Sequence, residues 1–368
     1  MVDGRVVVFG ATGYTGRRTA RALVDRGLRP VLAGRDVERL EDLADALGGG
    51  LETARADSGD QASIRALIGP DDVLISTVGP FLRRGRPAVD AVMDAGATYL
   101  DSSGEPPFVR AVFERAAPLA ERAGATLIPA FGFDYVPGNL AGALALHGTE
   151  ATRVDVGYFA SGDVLRGASR GTRASAVGML LESTFAFRDG EILGDATAKP
   201  VELDVEGRRR SALPLGGSEH FGLPRAHPAL REVNVGLGTL TGGAGGGAFA
   251  ANAGALLGRV PGARALMGAL SDLLAGRPDD PELDRPVLSA HVVAVATDSA
   301  DRTVGEAAVR VDDVYGFTAH ALAWAAERCL STELTAGALA PVEAFGLPEI
   351  ARGCRESGVT VTAGTIPD

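Results

Sequence analysis

The feature that most constrains this chain is a glycine loop directly after a short apolar run. The run is Val6-Val7-Val8-Phe9, and the loop reads GATGYTG over residues 10–16. Its three glycines let the backbone turn tightly and approach a phosphate without a Cβ in the way. A helical pattern follows, so unpaired N–H groups of a helix N-terminus would face an anion. A glycine turn without a ligand is the alternative, but the strand and helix around this loop favour binding of a dinucleotide diphosphate.

Strands and helices alternate through the first third of the chain. Strands are predicted near residues 5–10, 29–34, 51–56, 72–78, 97–101 and 125–130. This order is typical of an α/β Rossmann-type domain, a doubly wound parallel sheet covered on both faces. From about residue 134, longer alternating strands indicate a second α+β domain built on a largely antiparallel sheet.

The domain boundaries follow from this change of pattern. We predict a dinucleotide-binding Rossmann domain over 1–133, completed by 335–368, and a substrate-binding and dimerisation domain over 134–334. A broad second sheet also favours a homodimer.

Composition and charge exclude several classes of protein. The 368 residues carry a net charge of −11, so neither nucleic acid nor an anionic membrane is an expected partner. Cys329 and Cys354 are too few for a disulfide framework, and no metal-ligand pattern is visible. No apolar run is long enough for a transmembrane helix, and no signal peptide is visible. We therefore expect a cytoplasmic protein without a metal site.

The residue after the second strand indicates which dinucleotide binds. NAD-selective units place an acidic residue there, which binds the ribose 2′-OH. Here Arg35 takes that place, and a guanidinium suits a 2′-phosphate because it donates paired hydrogen bonds. Arg39, one turn into the next helix, would add a second donor. NADPH is therefore the predicted cofactor; the alternative is that Arg35 pairs with Asp36 or lies in solvent.

Two further strand ends are predicted to face the cofactor. Asp57 and Ser58 follow the third strand. Asp57 would hydrogen-bond an adenine amino group, or alternatively cap the helix that begins near Gln61. The fourth strand ends in the turn Thr77-Val78-Gly79-Pro80, at the carboxyl edge where cofactors cross the topological switch point. We expect this turn to contact the nicotinamide half.

The sequence excludes the commonest other class of enzyme that has a similar glycine loop. Short-chain dehydrogenases use a Tyr-x-x-x-Lys pair, but the chain's one lysine is Lys199 and residue 195 is Asp. The histidines form no metal-ligand pattern, and no hydrolase nucleophile motif is convincing. Hydride transfer remains, in which the cofactor performs the hard step and the protein supplies orientation and a proton.

Four side chains near the ends of the fifth and sixth strands are candidate proton donors. Asp101 and Glu105 follow the fifth strand, and Asp134 and Tyr135 follow the sixth. An acid in a partly apolar cleft has a raised pKa, which suits this role. Tyr135 and Glu105 are the first choices. The alternatives are that Asp134 caps a helix starting at Pro137, that Glu105 orients a loop, or that the substrate takes its proton from water.

The second domain favours an uncharged or lipid-like substrate over a dicarboxylate. A Gly/Ala-rich segment over 242–276 carries apolar residues that would line such a site, or it is a loop leading to a surface helix. Those apolar residues include Phe249, Leu256 and Leu257. The domain has one tight basic cluster, which would bind an anion or begin a solvated helix. Its members are Arg166, Arg170 and Arg173.

Four motifs stand in a fixed order along the chain: GATGYTG at 10–16, VGPF at 78–81, YLDSSGE at 99–105 and GFDYVPGN at 132–139. Together they resemble the saccharopine dehydrogenase-like oxidoreductases, especially the branch that includes trans-acting enoyl reductases of actinobacterial lipid biosynthesis. A YGFTA segment at 315–319 continues the resemblance weakly.

The resemblance implies a reductase that uses NADPH and acts on a C=C bond of a lipid or a C=N bond of an amino-acid adduct. It places the following residues at the family's nucleotide positions: Gly10, Thr12, Gly13, Tyr14, Thr15, Gly16, Arg35, Asp57 and the turn 77–80. A non-catalytic NADP-binding sensor or scaffold is the alternative, because a fold alone does not decide function.

Overall fold

The computed structural model describes residues 4–162, 184–194, 198–240 and 287–364. The chain divides into two compact units. The first consists of Met1–Gly104, Phe108–Asp134 and Tyr315–Leu339, and the second of Glu105–Pro107, Tyr135–Val314 and Ala340–Asp368.

The strands and helices have the following bounds. The strands are β1 Val6–Phe9, β2 Val31–Gly34, β3 Thr53–Arg55, β4 Val73–Ser76, β5 Thr98–Asp101, β6 Thr126–Ile128, β7 Arg153–Ser161, β8 Phe185–Arg188, β9 Glu191–Gly194, β10 Val201–Val205, β11 Arg208–Pro214, β12 Glu232–Thr239, β13 Ser289–Thr297, β14 Thr303–Val311, β15 Gly337–Ala338 and β16 Val359–Ala363. The helices are α1 Tyr14–Asp25, α2 Val37–Ala46, α3 Gln61–Arg65, α4 Phe81–Arg84, α5 Arg86–Ala95, α6 Pro106–Ala111, α7 Ala117–Ala123, α8 Val136–Leu146, α9 Glu219–Ala226, α10 Val314–Cys329, α11 Pro341–Phe345 and α12 Leu347–Glu356. A π-helical turn, Val112–Ala116, lies between α6 and α7.

The first unit is built on a parallel sheet of seven strands among the described residues. Its order is β15-β6-β5-β4-β1-β2-β3, and every neighbouring pair is parallel. The strand order reverses beside β1, which pairs with both β4 and β2. Ligands of such sheets bind at the carboxyl ends of the strands next to this reversal. The predicted Rossmann-type domain is confirmed.

Local sequence explains the strands and helix ends of this unit. All four residues of β1 are buried, as are those of β2 and β4, which fits strands covered on both faces. The carboxylates of Asp36 and Asp60 cap α2 and α3. Gly96 and Gly124 adopt the left-handed conformation and end α5 and α7.

The second unit contains a nine-stranded, largely antiparallel sheet among the described residues. Its main path runs β10-β11-β12-β7-β13-β14-β16, and β8 and β9 extend from β12. The β7 and β12 pair is parallel and the other pairs are antiparallel. All eleven residues of α8 are buried, as expected of a helix that is apolar on every side. The predicted α+β class of this unit is confirmed.

The last third of the chain divides between the units in a way that differs from the predicted boundaries. Of the segment 335–368, residues up to Leu339 join the first unit, where β15 pairs with β6. The remainder joins the second unit, because β16 pairs with β14. Helix α10, placed by prediction in the second domain, lies in the first unit from Tyr315 onward.

Candidate functional site

The loop after β1 leaves no room for side chains at two of its glycines. Gly10 has a φ of +90°, and a Cβ there would lie 2.8 Å from the hydroxyl oxygen of Thr77. A Cβ on Gly16 would lie 2.2 Å from the carbonyl oxygen of Gly10. Strand β1 and helix α1 therefore approach each other at a distance that requires glycine.

The N-terminus of α1 is arranged to receive an anion. Gly13 is the N-cap and donates its N–H to the carbonyl of Gly10 at 2.9 Å. Within the described part of the chain no side chain caps this helix, and its first turn carries no acidic residue. The helix dipole concentrates partial positive charge at this end. The loop therefore fits a diphosphate.

The other predicted loop residues surround this cradle. Thr12 and Thr15 are half-buried. The ring of Tyr14 packs edge-on against Tyr315 at 5.1 Å between centroids, and the guanidinium of Arg18 lies 5.2 Å from the centre of the Tyr14 ring. The contact between Tyr14 and Tyr315 joins the start of α1 to the start of α10 within the first unit.

Arg35 lies exposed directly after β2, as predicted. The carboxylate of Asp36 accepts the N–H of Arg39 at 3.2 Å and so caps α2. Across residues 4–162, 184–194, 198–240 and 287–364, Arg35 takes part in no ion pair. Its guanidinium is therefore available to an anionic ligand, and Arg39 is half-buried one turn further on.

Sequence reasoning missed a third arginine at this place, Arg17. Its Nε donates to the carbonyl of Thr12 at 3.1 Å, which holds it against the glycine loop. Burial and repulsion from Arg39 lower the pKa of Arg17, and Asp42 offsets part of that effect. Such a group of cations is stabilised by a bound phosphate. The Arg17-Arg18 doublet right after the third glycine was the sequence signal.

Residues after the carboxyl ends of β3 and β4 lie at the same edge of the parallel sheet as the glycine loop. Asp57 and Ser58 are half-buried, and the Asp57 carboxylate accepts the N–H of Gly59 at 2.8 Å. Asp60 caps α3, so Asp57 does not. The hydroxyl of Thr77 lies 3.2 Å from the carbonyls of both Phe9 and Gly10, which anchors the 77–80 turn to the glycine loop. In that turn Val78 and Gly79 are half-buried, Pro80 is buried, and the Gly79–Pro80 peptide is cis.

Asp101 lies fully buried at the end of β5 and holds two loops together. Its Oδ1 accepts the N–H of Ser103 at 2.8 Å and the N–H of Ala130 at 2.7 Å. The nearby phenol of Tyr99 is also buried; burial, then the Asp101 charge, raises the pKa of Tyr99 well above its ordinary value. Asp101 is therefore placed to order the 102–104 and 129–134 loops rather than to reach a substrate.

Asp134 has the properties expected of a proton donor. Burial raises its pKa from about 3.8 to about 6. Its carboxylate lies against the backbone of Gly104, where a Cβ would come within 2.7 Å of Asp134 Oδ2. Helix α8 begins at Val136 without a side-chain cap, so Asp134 does not serve as its cap. Among the described residues no hydrogen bond stabilises the ionised form of Asp134.

We predict that Asp134 makes stability fall as pH rises. Below about pH 4 the Asp134 carboxyl is protonated in both the folded and the unfolded chain. Between about pH 4 and 6 it is ionised in the unfolded chain but still protonated in the folded one. The free energy of unfolding therefore falls as pH rises through this range. Above about 6 a cost of about 1 to 3 kcal/mol remains. Asp134→Asn should therefore raise the free energy of unfolding at pH 7 and not at pH 4. Urea unfolding at pH 4, 5, 6 and 7 measures this, and a constant difference at all four pH values would contradict it.

The other two predicted donors are buried and lie in the second unit. Tyr135 is 0% exposed, and its backbone carbonyl is 3.0 Å from Asn139 Nδ2 and 3.1 Å from the hydroxyl of Tyr158. Glu105 is 5% exposed. Of the four candidates, Asp101 and Asp134 lie in the first unit; Asp101 is fully buried and Asp134 is half-buried.

A buried polar cluster in the second unit was not foreseen. Glu219 Oε1 accepts the hydroxyl of Tyr158 at 2.6 Å, and that hydroxyl accepts the N–H of Gly138 at 2.9 Å. Burial lowers the pKa of the neighbouring His220 to about 4, so its imidazole is neutral near pH 7. These bonds fix α8 against β7 and α9. The Ser218-Glu219-His220 run was its sequence signal.

Several predicted features fall outside the described residues. They are Arg166, Arg170, Arg173 and the apolar segment containing Phe249, Leu256 and Leu257. In the part of the chain that the structure describes, no group of three or more His, Cys, Asp or Glu side chains is placed to hold a metal ion. The helices described there include none with the length and apolar character needed to cross a membrane.

Comparison with known proteins agrees with this geometry. Residues 10–100 match a family described as NAD(P)H-binding. The trans-acting enoyl reductase of Mycobacterium leprae is 37% identical over 140 residues, which cover 37% of this chain and 34% of that protein. The Mycobacterium tuberculosis enzyme of the same name is 36% identical over 140 residues, with 37% and 34% covered. The chain thus matches about a third of the length of these relatives.

The fold is similar to that of saccharopine dehydrogenase (L-Glu forming) from Saccharomyces cerevisiae in its apo, histidine-tagged form. The TM-score is 0.59, with 14% sequence identity over 98% of this chain and 100% of that chain. At this identity the likeness shows the fold alone. The predicted resemblance to saccharopine dehydrogenase-like proteins and to trans-acting enoyl reductases is confirmed, and the first unit contains an NAD(P)H-binding domain.

Proposed function

We propose that this chain is an NADPH-dependent oxidoreductase that reduces an enoyl C=C bond, or a C=N bond, of a small-molecule or lipid-like substrate. One observation carries the proposal: an exposed arginine, Arg35, stands beyond β2 next to a cradle formed by Gly10, Gly13 and Gly16. A diphosphate fits the cradle, and the arginine suits the phosphate that distinguishes NADPH from NADH.

Different residues of the first unit would bind different parts of the cofactor. The glycine loop with Thr12, Tyr14 and Thr15 would hold the diphosphate, and Arg35, Arg39 and Arg17 the 2′-phosphate. Asp57 and Ser58 would face the adenosine, and Thr77, Val78, Gly79 and Pro80 the nicotinamide half. When bound, the nicotinamide ring supplies a hydride.

Asp134 is the proton donor that we propose among the predicted acids. Its raised pKa keeps a substantial fraction of the carboxyl protonated near pH 6. A protonated carboxyl next to the small backbone of Gly104 would give its proton to negative charge that develops on the substrate. Asp101 supports this by fixing both loops, while Glu105 and Tyr135 remain the less favoured candidates because they are almost completely buried, whereas Asp134 is half-buried.

The names of the relatives favour the enoyl bond as substrate. Two relatives named trans-acting enoyl reductase share 36–37% identity with 140 residues of this chain. The imine reaction rests on the motif resemblance to saccharopine dehydrogenase-like proteins, since the similar yeast structure shows only the fold. The homodimer and the cytoplasmic location stay predictions.

The proposal is tested by NADPH oxidation with two panels of compounds. One panel contains 2-enoyl thioesters of increasing chain length, and the other contains cyclic imines and iminium ions. Oxidation that depends on an enoyl thioester supports the favoured reaction. Tight NADPH binding without turnover of any compound would instead favour a non-catalytic sensor.

Cofactor selectivity gives a separate prediction. NADPH at 100 times its Kd should stabilise the chain by about 2.7 kcal/mol. Arg35→Ala removes charge-assisted bonds to the phosphate and should weaken NADPH binding by about 10- to 100-fold, with NADH binding unchanged. Arg86→Ala, an exposed arginine of α5 paired with Asp90, is the matched control. Equal losses for both coenzymes in the Arg35 variant would contradict the assignment.

A further inference from the structure

The loop that carries Asp134 is held by backbone hydrogen bonds to two side chains. It begins after β6, where the N–H of Ala130 donates to Asp101 Oδ1 and the N–H of Phe131 donates to the Asp101 carbonyl, both at 2.7 Å. At its far end the N–H of Phe133 donates to the hydroxyl of Thr318 at 3.1 Å. This last bond lies one residue from Asp134 and joins positions 185 apart in sequence.

Thr318 also determines how closely the loop that carries Asp134 approaches helix α10. It is 7% exposed, and a Cβ on Gly132 would lie 2.9 Å from Thr318 Cγ2. The loop backbone therefore rests directly on this side chain. The methyl group packs against the middle of the loop, whereas the hydroxyl bonds to the end next to Asp134, so the directional restraint on Asp134 comes from the hydroxyl.

Helix α10, which carries Thr318, is firmly attached to the first unit. The ring of Phe131 stacks on Trp324 with 6.5 Å between centroids. Arg26, at the end of α1, forms an ion pair with Glu327 at 2.6 Å. The helix is therefore a fixed support, so that a change at Thr318 acts on the loop that packs on it.

We propose that Thr318 is a positioning residue for Asp134: its hydroxyl holds the 131–134 loop so that the carboxylate stays against Gly104. The inference rests on the proposed function, in which Asp134 is the proton donor. Without the Phe133 bond the loop can shift outward, and the carboxylate then reaches water. A displacement of about 1 Å in a reacting group can cost about 100-fold in rate.

The chain offers a matched pair of substitutions at this position. Thr318→Val keeps the shape and both branches on Cβ but removes the hydroxyl. Thr318→Ser keeps the hydroxyl and removes only the methyl group. If the hydroxyl positions the acid, the serine variant should behave like the wild type; if packing alone matters, the valine variant should.

The test follows the Asp134 titration directly, so that it needs no substrate. Protein labelled with [13Cγ]aspartate is titrated by NMR, and the Asp134 resonance is the one missing from Asp134→Asn. In the wild type and in Thr318→Ser we expect a midpoint near pH 6. In Thr318→Val the midpoint should fall by about one unit, because a better hydrated carboxylate ionises more easily.

NADPH binding to each variant, followed by fluorescence, separates this inference from the proposed function. Thr318→Val should bind NADPH as the wild type does. An unchanged Asp134 midpoint in Thr318→Val, a lowered midpoint in Thr318→Ser, or loss of NADPH binding in the valine variant would each overturn the positioning role. If the wild type itself fails to bind NADPH, the proposed function fails, while the NMR comparison still decides whether Thr318 positions Asp134.

Discussion

Asp134→Asn is expected to lower turnover by about 10²- to 10⁴-fold, the range found when a general acid is removed. Asparagine has the same shape as aspartate but no acidic proton to give. NADPH affinity should remain unchanged, because Asp134 lies at the end of the β6 loop rather than in the glycine cradle. Turnover is measured as oxidation of NADPH with the enoyl thioester that the panel identifies, together with the Kd of NADPH for each variant.

The pH dependence of turnover provides an independent check on the same residue. The proton donor must be protonated, so the rate should fall as pH rises through about 6, where Asp134 ionises. Asp134→Asn should leave a small residual rate without this fall. Asp71→Asn, at an exposed turn of the first unit, is the control and should keep the wild-type profile. A full rate in Asp134→Asn would mean that the proton comes from water or from another group.

The part of the site that depends on neighbouring residues in sequence could be predicted. Four buried residues in β1 followed by the glycine loop specify a strand, a turn and a helix without information from elsewhere in the chain. Arg35 and Asp134 were predicted as site residues because the carboxyl ends of parallel strands share one edge of a sheet. Counting strands was therefore enough to place these residues at that edge.

The surroundings of each candidate acid could not be predicted, since they depend on distant partners. Tyr135 was preferred over Asp134, yet one step along the chain changes the surroundings completely. Tyr135 is enclosed by the second unit, where its ring lies edge-on to Tyr158 at 6.3 Å between centroids. Asp134 has Gly104 beside it instead. The hydrophobic pattern predicts which face of a helix or strand is buried. It does not predict which distant segment covers a particular side chain.

The C-terminal segment shows the same limit at the level of whole elements. Residues 314–329 were predicted to lie in the second domain, whereas the place of α10 in the first unit depends on contacts such as Arg26 with Glu327. Strand β15 has only two residues, Gly337 and Ala338, and periodicity cannot detect a strand so short. Apolar and polar residues alternate along β16, as they do in many strands. Nothing in the sequence, however, indicates that this strand pairs with β14.

Two glycine substitutions should separate binding of the cofactor from folding of its loop. Gly16→Ala forces a Cβ to within 2.2 Å of the Gly10 carbonyl, so β1 and α1 must move apart. Overpacking of this kind costs about 1 to 3 kcal/mol, and the cradle is lost with it. We expect a lower unfolding midpoint and no measurable NADPH binding.

Gly13→Ala should strongly weaken NADPH binding while leaving the fold nearly intact. Gly13 is exposed, has an extended backbone, and its added Cβ would lie 3.3 Å from the Gly10 carbonyl, so a small adjustment accommodates it. With the diphosphate bound as proposed, the same Cβ would lie in its approach to the first N–H groups of α1. Loss of about 3 kcal/mol of charge-assisted hydrogen bonds corresponds to about 100-fold weaker NADPH binding.

Gly194→Ala is the control for both variants, because nothing lies within 4 Å of a Cβ at this position of the second unit. Its unfolding midpoint and its Kd for NADPH should match those of the wild type. Unchanged NADPH affinity in Gly13→Ala would contradict the diphosphate assignment even if Gly16→Ala behaves as expected. The reason is that Gly16 tests whether the helix packs on the strand, whereas only Gly13 tests what the helix end binds.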